Sequence, residues 1–342
     1  MKWLITATAV CMLVLAPATG ATFTWDGGGD TKVWSDALNW TGDTAPTVDS
    51  SSPATDSITI SAANVGVSDF TEARHAYSDA GTAYWDDVSV ISNGTHAMTL
   101  RKNGTQGMDI EGTLTLEGFS SSKVTKLDVD QSMSATSTTI KSYVDVDVAA
   151  SRTFTSGALT VGSGTDVVDL LIGVDSGTGT LDASSMTIQA GDAANEDAFA
   201  ELRSATLDVD GQVLVQASTT VDATAEIQIT SGTFTPDSMK FVGRDHATEG
   251  HAIADFDVSV TVQGACDGTI DTCMEGYVDI NVFSNTTTDF KDMEIGDCGA
   301  SGNAADVDVA GGGTVRACSL VINGGDTQNT IVSVTSGKVE TY

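Results

Sequence analysis

A short strand pattern recurs through most of this chain at nearly constant spacing, and that recurrence restricts the fold more than any other feature. The segments "TLTLEG" (113–118), "ALTVGSG" (158–164), "SMTIQAGD" (185–192), "QVLVQAS" (212–218), "SMKFVGRD" (238–245), "VTVQGACD" (260–267), "DMEIGDC" (292–298) and "SLVINGGD" (319–326) each alternate apolar residues. Most run into a Gly and then an Asp. Leu159 to Met186 is 27 positions, Met186 to Met239 is 53, Met239 to Met293 is 54 and Met293 to Leu320 is 27, so the period is close to 27 residues.

A second set of strands lies between these: "KLDVDQ", "YVDVDVAA", "TLDVDG", "ADFDVSV", "YVDINVF", "ADVDVAG" and "TIVSVTSG". Apolar and acidic residues alternate here at period two, as a half-buried strand requires. Leu127 with Val129, Val144 with Val146 and Val148, Leu207 with Val209, Phe256 with Val258, Val278 with Ile280, and Val307 with Val309 then share one inner face. The intervening aspartates point to water. Repeats of this length, each too small to bury its own apolar row, predict a solenoid stabilised by stacking. An antiparallel sandwich fits the alternation but not the recurrence of like strands at fixed spacing. The expected fold is all-β, a right-handed parallel β-helix (β-solenoid), with an irregular β-rich cap region over 22–105 and repeats over 106–342. Its 35 glycines and four prolines suit short strands and tight turns.

Residues 1–21, "MKWLITATAVCMLVLAPATGA", carry one early Lys, an apolar run and an A-x-A end at Ala16 and Ala18. They read as a signal peptide, removed on export, which places the mature chain in a secreted or cell-surface setting. No later stretch reaches the roughly 18 apolar residues of a spanning helix, so membrane insertion is not expected. The formal net charge is −32 (47 acidic, 15 basic residues), which repels nucleic acid and anionic lipid and leaves polycations and divalent cations as charge partners.

The segment "IGVDSGTGTLDASSMTIQAGD" (172–192) resembles the I-G-x-x-G-T-G-T-L units of secreted bacterial β-helix proteins with autotransporter-associated β-strand repeats. Trp25, Asp26, Trp34, Ser35, Asn39, Trp40 and Pro46 resemble the mature N-terminus that opens such chains. The resemblance implies an extracellular structural or adhesive role and supplies no catalytic residues.

Several residue groups are candidates for chemistry. Asp128, Asp130, Asp145, Asp147, Asp208, Asp210, Asp255, Asp257, Asp279, Asp306 and Asp308, if stacked at about 4.8 Å, repel by about 1 kcal/mol per unscreened pair in water. Counterions relieve this diffusely and Ca²⁺ would relieve it specifically. Asp166, Asp192, Asp245, Asp267, Asp297 and Asp326, which follow the Gly-containing turns, are the candidate Ca²⁺ ligands; the fold itself requires no cofactor. Cys266, Cys273, Cys298 and Cys318 are expected to form disulfides in an exported chain. The short loop favours Cys266 with Cys273, and two strands aligned as equivalent ("VTVQGAC", "MEIGDC") favour Cys266 with Cys298. Trp25, Trp34, Trp40 and Trp85 either stack on sugar rings or close the first rung as a cap, and the cap is favoured because a solenoid end needs cover.

"RDHATEGH" (244–251) groups His246, Glu249 and His251 without metalloprotease spacing and reads as a loop. Thr-x-Thr pairs (Thr113 with Thr115, Thr153 with Thr155, Thr233 with Thr235) fall at differing points of the aligned repeat and read as ordinary strand composition. The expected function is therefore non-enzymatic: a structural or adhesion-type protein whose partners are glycans, cell-surface components or its own kind. The competing function is a calcium-dependent polysaccharide lyase or hydrolase on the same fold, with Arg152, Arg203 or Lys141 as the base. The strand-like end "TIVSVTSGKVETY" predicts an open edge that invites end-to-end association.

Overall fold

The computed structural model describes residues 20–47, 53–66, 71–76, 81–162, 167–173, 178–191, 193, 196–218, 221–243, 251–263, 266, 270–296, 305–323 and 330–342. They form a parallel β-solenoid, as the period predicts. One turn shows the plan. Val144–Val148 makes the first face, Thr153–Val161 bends midway to make the second and third, and Val168–Ile172 returns to the first face one rung on.

The bend falls at Gly157, where a side chain has no room: an added Cβ would stand 2.0 Å from the Thr136 carbonyl oxygen of the rung before. The same corner in Thr206–Gln216 is at Gly211, with a Cβ 2.4 Å from the Ser184 oxygen. Bulges in the register at these corners, between Ala183 and Met186 and between Val209 and Gln212, let strands of unequal length turn together.

Like residues lie over like because hydrogen bonding between parallel strands sets their register. Leu159 sits opposite Met186, Met186 opposite Val213, and Val213 opposite Met239. On the first face Val146 is opposite Leu127 and Ile172, and Ile227 is opposite Ala200 and Ala254. These inward rows are buried and merge into one core along the axis. Full burial of a Val, Leu or Ile side chain contributes about 1.5–3 kcal/mol. Each row gains it only through the rungs above and below, which is why the fold needs many turns.

Two segments occupy different faces from those expected. The alternation in "TLDVDG" predicts a first-face strand, but Leu207 is opposite Leu181 and Phe234, on the second face. "VTVQGACD" was aligned with "SMKFVG" and "DMEIGDC"; instead residues 272–275 stand between them, with Met239 opposite Thr272 and Thr272 opposite Met293. Val260–Thr261 pairs with Thr287–Asp289 in a separate short sheet with Thr314–Ala317 and Lys338–Thr341. The physical reason is turn length. Met239 to Thr272 is 33 positions and Thr272 to Met293 is 21, so two unequal rungs sum to the 54 that looked like two equal ones.

The parallel pairing also runs without a break across residue 105. Gly107–Glu117 pairs with Val88–Ile91, Val88–Ile91 with Ser57–Ser61, and Ser57–Ser61 with Thr22–Trp25. Among the described residues no helix is long and apolar enough to cross a membrane.

Candidate functional site

The first face carries most of the acidic strand residues, and their register breaks the expected ladder. Asp128 is opposite Asp147 and Asp279 is opposite Asp308, so two carboxylate pairs do stack. Elsewhere other side chains intervene. Asp145 lies between Lys126, whose Nζ is 3.7 Å away, and Leu171. Asp255 lies between Gln228 and Asn281, and Asn281 Nδ2 donates to its Oδ1 at 2.6 Å. On the second face Asp208 does stack on a carboxylate, Asp182, while on its other side it accepts from Thr235 Oγ1. Interleaving therefore relieves much of the repulsion that an unbroken ladder would carry.

Glu201 and Glu226, absent from the expected ladder, are central to this face. Glu226 lies between Phe199 and Ile253, and burial, with Asp255, Asp197 and Glu201 nearby, pushes its carboxyl up to about 7. Burial raises Asp169, Asp255 and Asp306 as well. Glu201 shifts the other way because Arg203 Nη2 donates to it at 2.8 Å, and Thr230 Oγ1 donates at 2.9 Å. The same contact raises Arg203 further. The alternation in "AFAEL" and "AEIQI" was the available sequence signal for these rungs.

The second face holds an open groove of about 330 Å³ lined by Thr82, Tyr84, Asp109, Ser134, Thr153 and Thr155, among others. Tyr84 is opposite Asp109, Asp109 opposite Ser134, and Ser134 opposite Thr155, so parallel register sets an aromatic ring, a carboxylate and hydroxyls in one line. Ser134 Oγ donates to Asp109 Oδ1 at 2.9 Å. Tyr84 precedes the clear repeats and Asp109 opens the strand that carries the first of them, so neither sits at a recurring position that the sequence pattern marks.

The four tryptophans face inward. Trp25, Trp34, Trp40 and Trp85 are 0% exposed and meet edge to face, Trp34 lying 5.7 Å from Trp40 and 5.3 Å from Trp85. Stacking on a sugar is thereby ruled out for them: no ring face is open. Beside them His75 and Lys102, opposite each other, are fully buried. Burial and then the Lys102 charge lower His75 to about 3, and burial lowers Lys102 to about 8 while its Nζ donates to the Gly104 carbonyl.

Cys266 is disulfide-bonded to Cys318, 52 positions away with Cα atoms 5.6 Å apart, and not to either favoured partner, Cys273 or Cys298. Cys273 is itself disulfide-bonded. The expectation failed because it rested on loop length and on the misaligned "VTVQGAC"; Cys266 follows Val260–Thr261 and Cys318 follows Thr314–Ala317, two rungs apart in the short sheet. Cys298, the candidate Ca²⁺ ligands Asp166, Asp192, Asp245, Asp267, Asp297 and Asp326, and residues 1–19 and 244–250 lie outside the described residues. His251 Nδ1 is 2.9 Å from Asp279 Oδ2, and its ring lies 4.0 Å from that of Tyr277. Among the described residues no group of three or more His, Cys, Asp or Glu could hold a metal ion. The chain matches no protein-family model, no curated protein and no solved structure.

Proposed function

We propose that this chain is an exported structural and adhesive β-solenoid that binds glycans through its outer faces. The groove at Tyr84 carries this reading: a ring, a carboxylate and several hydroxyls share one open surface. Sugars are met by such a set, the ring taking the apolar C–H face and the polar groups the hydroxyls. Along the rod, weak contacts repeat rung after rung, and linked weak contacts gain by effective concentration. The signal-like start and the cysteine usage fit an oxidising compartment outside the cytoplasm.

Self-association belongs to the same reading. The last rung shows exposed Val321, Ile322, Ile331 and Val334, which fit a second copy or a partner at a surface. Divalent cations enter as counterions to the acidic face; a thermal melt is expected to shift upward with Ca²⁺, and no shift would leave monovalent screening as the account.

The test is purified mature protein on glycan arrays and cells, with Tyr84→Ala as the matched variant. Capture of a glycan, weakened by Tyr84→Ala, is expected. Failure to bind glycans, cells or its own kind would overturn the proposal. Release of unsaturated or reducing sugar ends from acidic polysaccharides, abolished by chelator, would overturn it in favour of the lyase or hydrolase.

A further inference from the structure

The three Thr-x-Thr pairs do fall on two different faces, Thr113 with Thr115 on the third and the other two on the second, yet each joins a longer hydroxyl column. Thr153 and Thr233 share one column of the second face, through Thr180 and Thr206. The third face carries a longer array. Thr24 is opposite Thr59, Thr59 opposite Ser89, Ser89 opposite Thr115, Thr115 opposite Thr139, Thr139 opposite Thr160, and Thr160 opposite Thr187. Seven successive rungs thus present a hydroxyl at one position, until Leu214 ends the rank opposite Thr187.

A companion rank lies two residues earlier on each strand: Thr22, Ser57, Asp87, Thr113, Ser137, Ala158 and Ser185. The residue between the two ranks faces the core at every rung, which anchors both ranks in one surface; Val88, Leu114, Leu159 and Met186 are examples.

Two further observations give this array a direction. All seven residues of the main rank are partly exposed, and among the described residues no side-chain hydrogen bond engages their hydroxyls. In the companion rank Thr113 and Ser137 hydroxyls meet at 3.0 Å, and Asp87 accepts from the Thr113 amide at 2.7 Å. Asp87 is the sole ionised residue of the two ranks, in a chain of net charge −32, although Asp26, Glu117 and Lys141 flank the main rank two residues on.

The two ranks therefore repeat at about 4.8 Å along the axis and about 6.6 Å across it, and all but Asp87 of their members are uncharged. A rigid partner with a matching repeat and both donors and acceptors would meet them. Ice is such a partner, since its surface oxygens repeat on this scale and carry no net charge. Methyl groups between the hydroxyls restrict the orientations of first-shell water, whereas ionised side chains would hold their own hydration shells. Neutral polysaccharide fits less well, because an aromatic platform is missing from both ranks.

We propose that the third face, from Thr24 to Thr187, binds ice. The experiment measures thermal hysteresis and ice recrystallisation in purified mature protein, in Thr115→Lys and Thr139→Lys, and in Gln228→Lys on the first face as the control. Circular dichroism and a thermal melt confirm that each variant folds. Wild type and Gln228→Lys are expected to inhibit ice growth, and both threonine variants to lose that inhibition. Absence of inhibition in wild type, its retention in folded Thr115→Lys and Thr139→Lys, or its equal loss in Gln228→Lys would overturn the proposal. So would retention on crystalline neutral polysaccharide, lost in the threonine variants, with ice growth unaffected. Tyr84 lies on another face, so failure here leaves the glycan reading standing.

Discussion

The first and the last described rungs are held together differently. At the N-terminal end the chain folds back over its own first strand: Trp25 forms an antiparallel bridge with Trp40, Trp40 Nε1 donates to the Trp34 carbonyl at 2.8 Å, and all four tryptophans are sealed from water. At the C-terminal end the last described strands, Ser319–Ile322, Ile331–Val334 and Lys338–Thr341, leave Ile322 and Ile331 each 51% exposed. There the rungs are tied instead by the Cys266–Cys318 disulfide. Among the described residues the first rungs are held by burial and the last by a covalent link; where apolar side chains stand exposed the hydrophobic effect contributes less, and a cross-link acts instead through a smaller unfolded ensemble.

The largest expected effect comes from opening the buried end. Trp34→Ala removes edge contacts to Trp40, Trp85 and His75 at once and should cost about 3–5 kcal/mol, read by denaturant unfolding. A loss below about 1 kcal/mol would mean that the cluster is not the closure described here.

Breaking the covalent tie comes next. Replacing Cys266 and Cys318 by Ser should cost about 2–4 kcal/mol, with hydrogen exchange rising in the C-terminal rungs and unchanged around Trp34. Equal loss of protection at both ends would show that the rod unfolds as one unit and would erase the contrast.

Titration separates the ends by sign. His75 has a folded pKa of about 3, below its unfolded 6.5, so its contribution to stability is present above 6.5 and is lost as pH falls toward 3. Glu226 has a folded pKa of about 7, above its unfolded 4.5, so its contribution is present below 4.5 and is lost as pH rises through 7. Acidification from pH 8 to 5 should therefore favour the acidic face while weakening the tryptophan end. Glu226→Gln is expected to raise Tm at pH 8 by roughly 2 °C and to flatten the profile above pH 5. His75→Leu should remove the acid-side loss. Because the two contributions oppose each other where their windows overlap, the test is in the variants: Glu226→Gln and His75→Leu profiles that each parallel the wild type between pH 4 and 8 would contradict both assignments.

The smallest effect on stability is expected at the exposed edge. Ile331→Lys should change unfolding by less than about 0.5 kcal/mol yet reduce association in sedimentation. Undiminished association would place self-contact elsewhere on the rod.

Much of this was legible in the residues. Period-two alternation in "YVDVDV" and "ADVDVA" identified the inward valines, and both strands lie on the first face as expected; of the intervening aspartates, Asp145 is buried and not open to water. Pairing Leu159 with Met186 and Met293 with Leu320 from their spacing of 27 was also right. Errors entered where turns differ in length. Thr138 to Leu159 is 21 positions and Leu170 to Ala200 is 30, so a fixed period drifts off register and mixes faces. That drift hid the hydroxyl rank, misplaced "TLDVDG" and separated Cys266 from Cys318.

The sequence by itself determined that this chain builds a stacked parallel solenoid, because alternation at period two and recurrence near 27 residues are local properties that no turn length can erase. Only the tertiary structure decided which strand lies over which. Register is set by backbone hydrogen bonds between rungs, the turns absorb or add residues freely, and outward neighbours such as Thr115 and Thr139 or Tyr84 and Asp109 exist only once that register is formed.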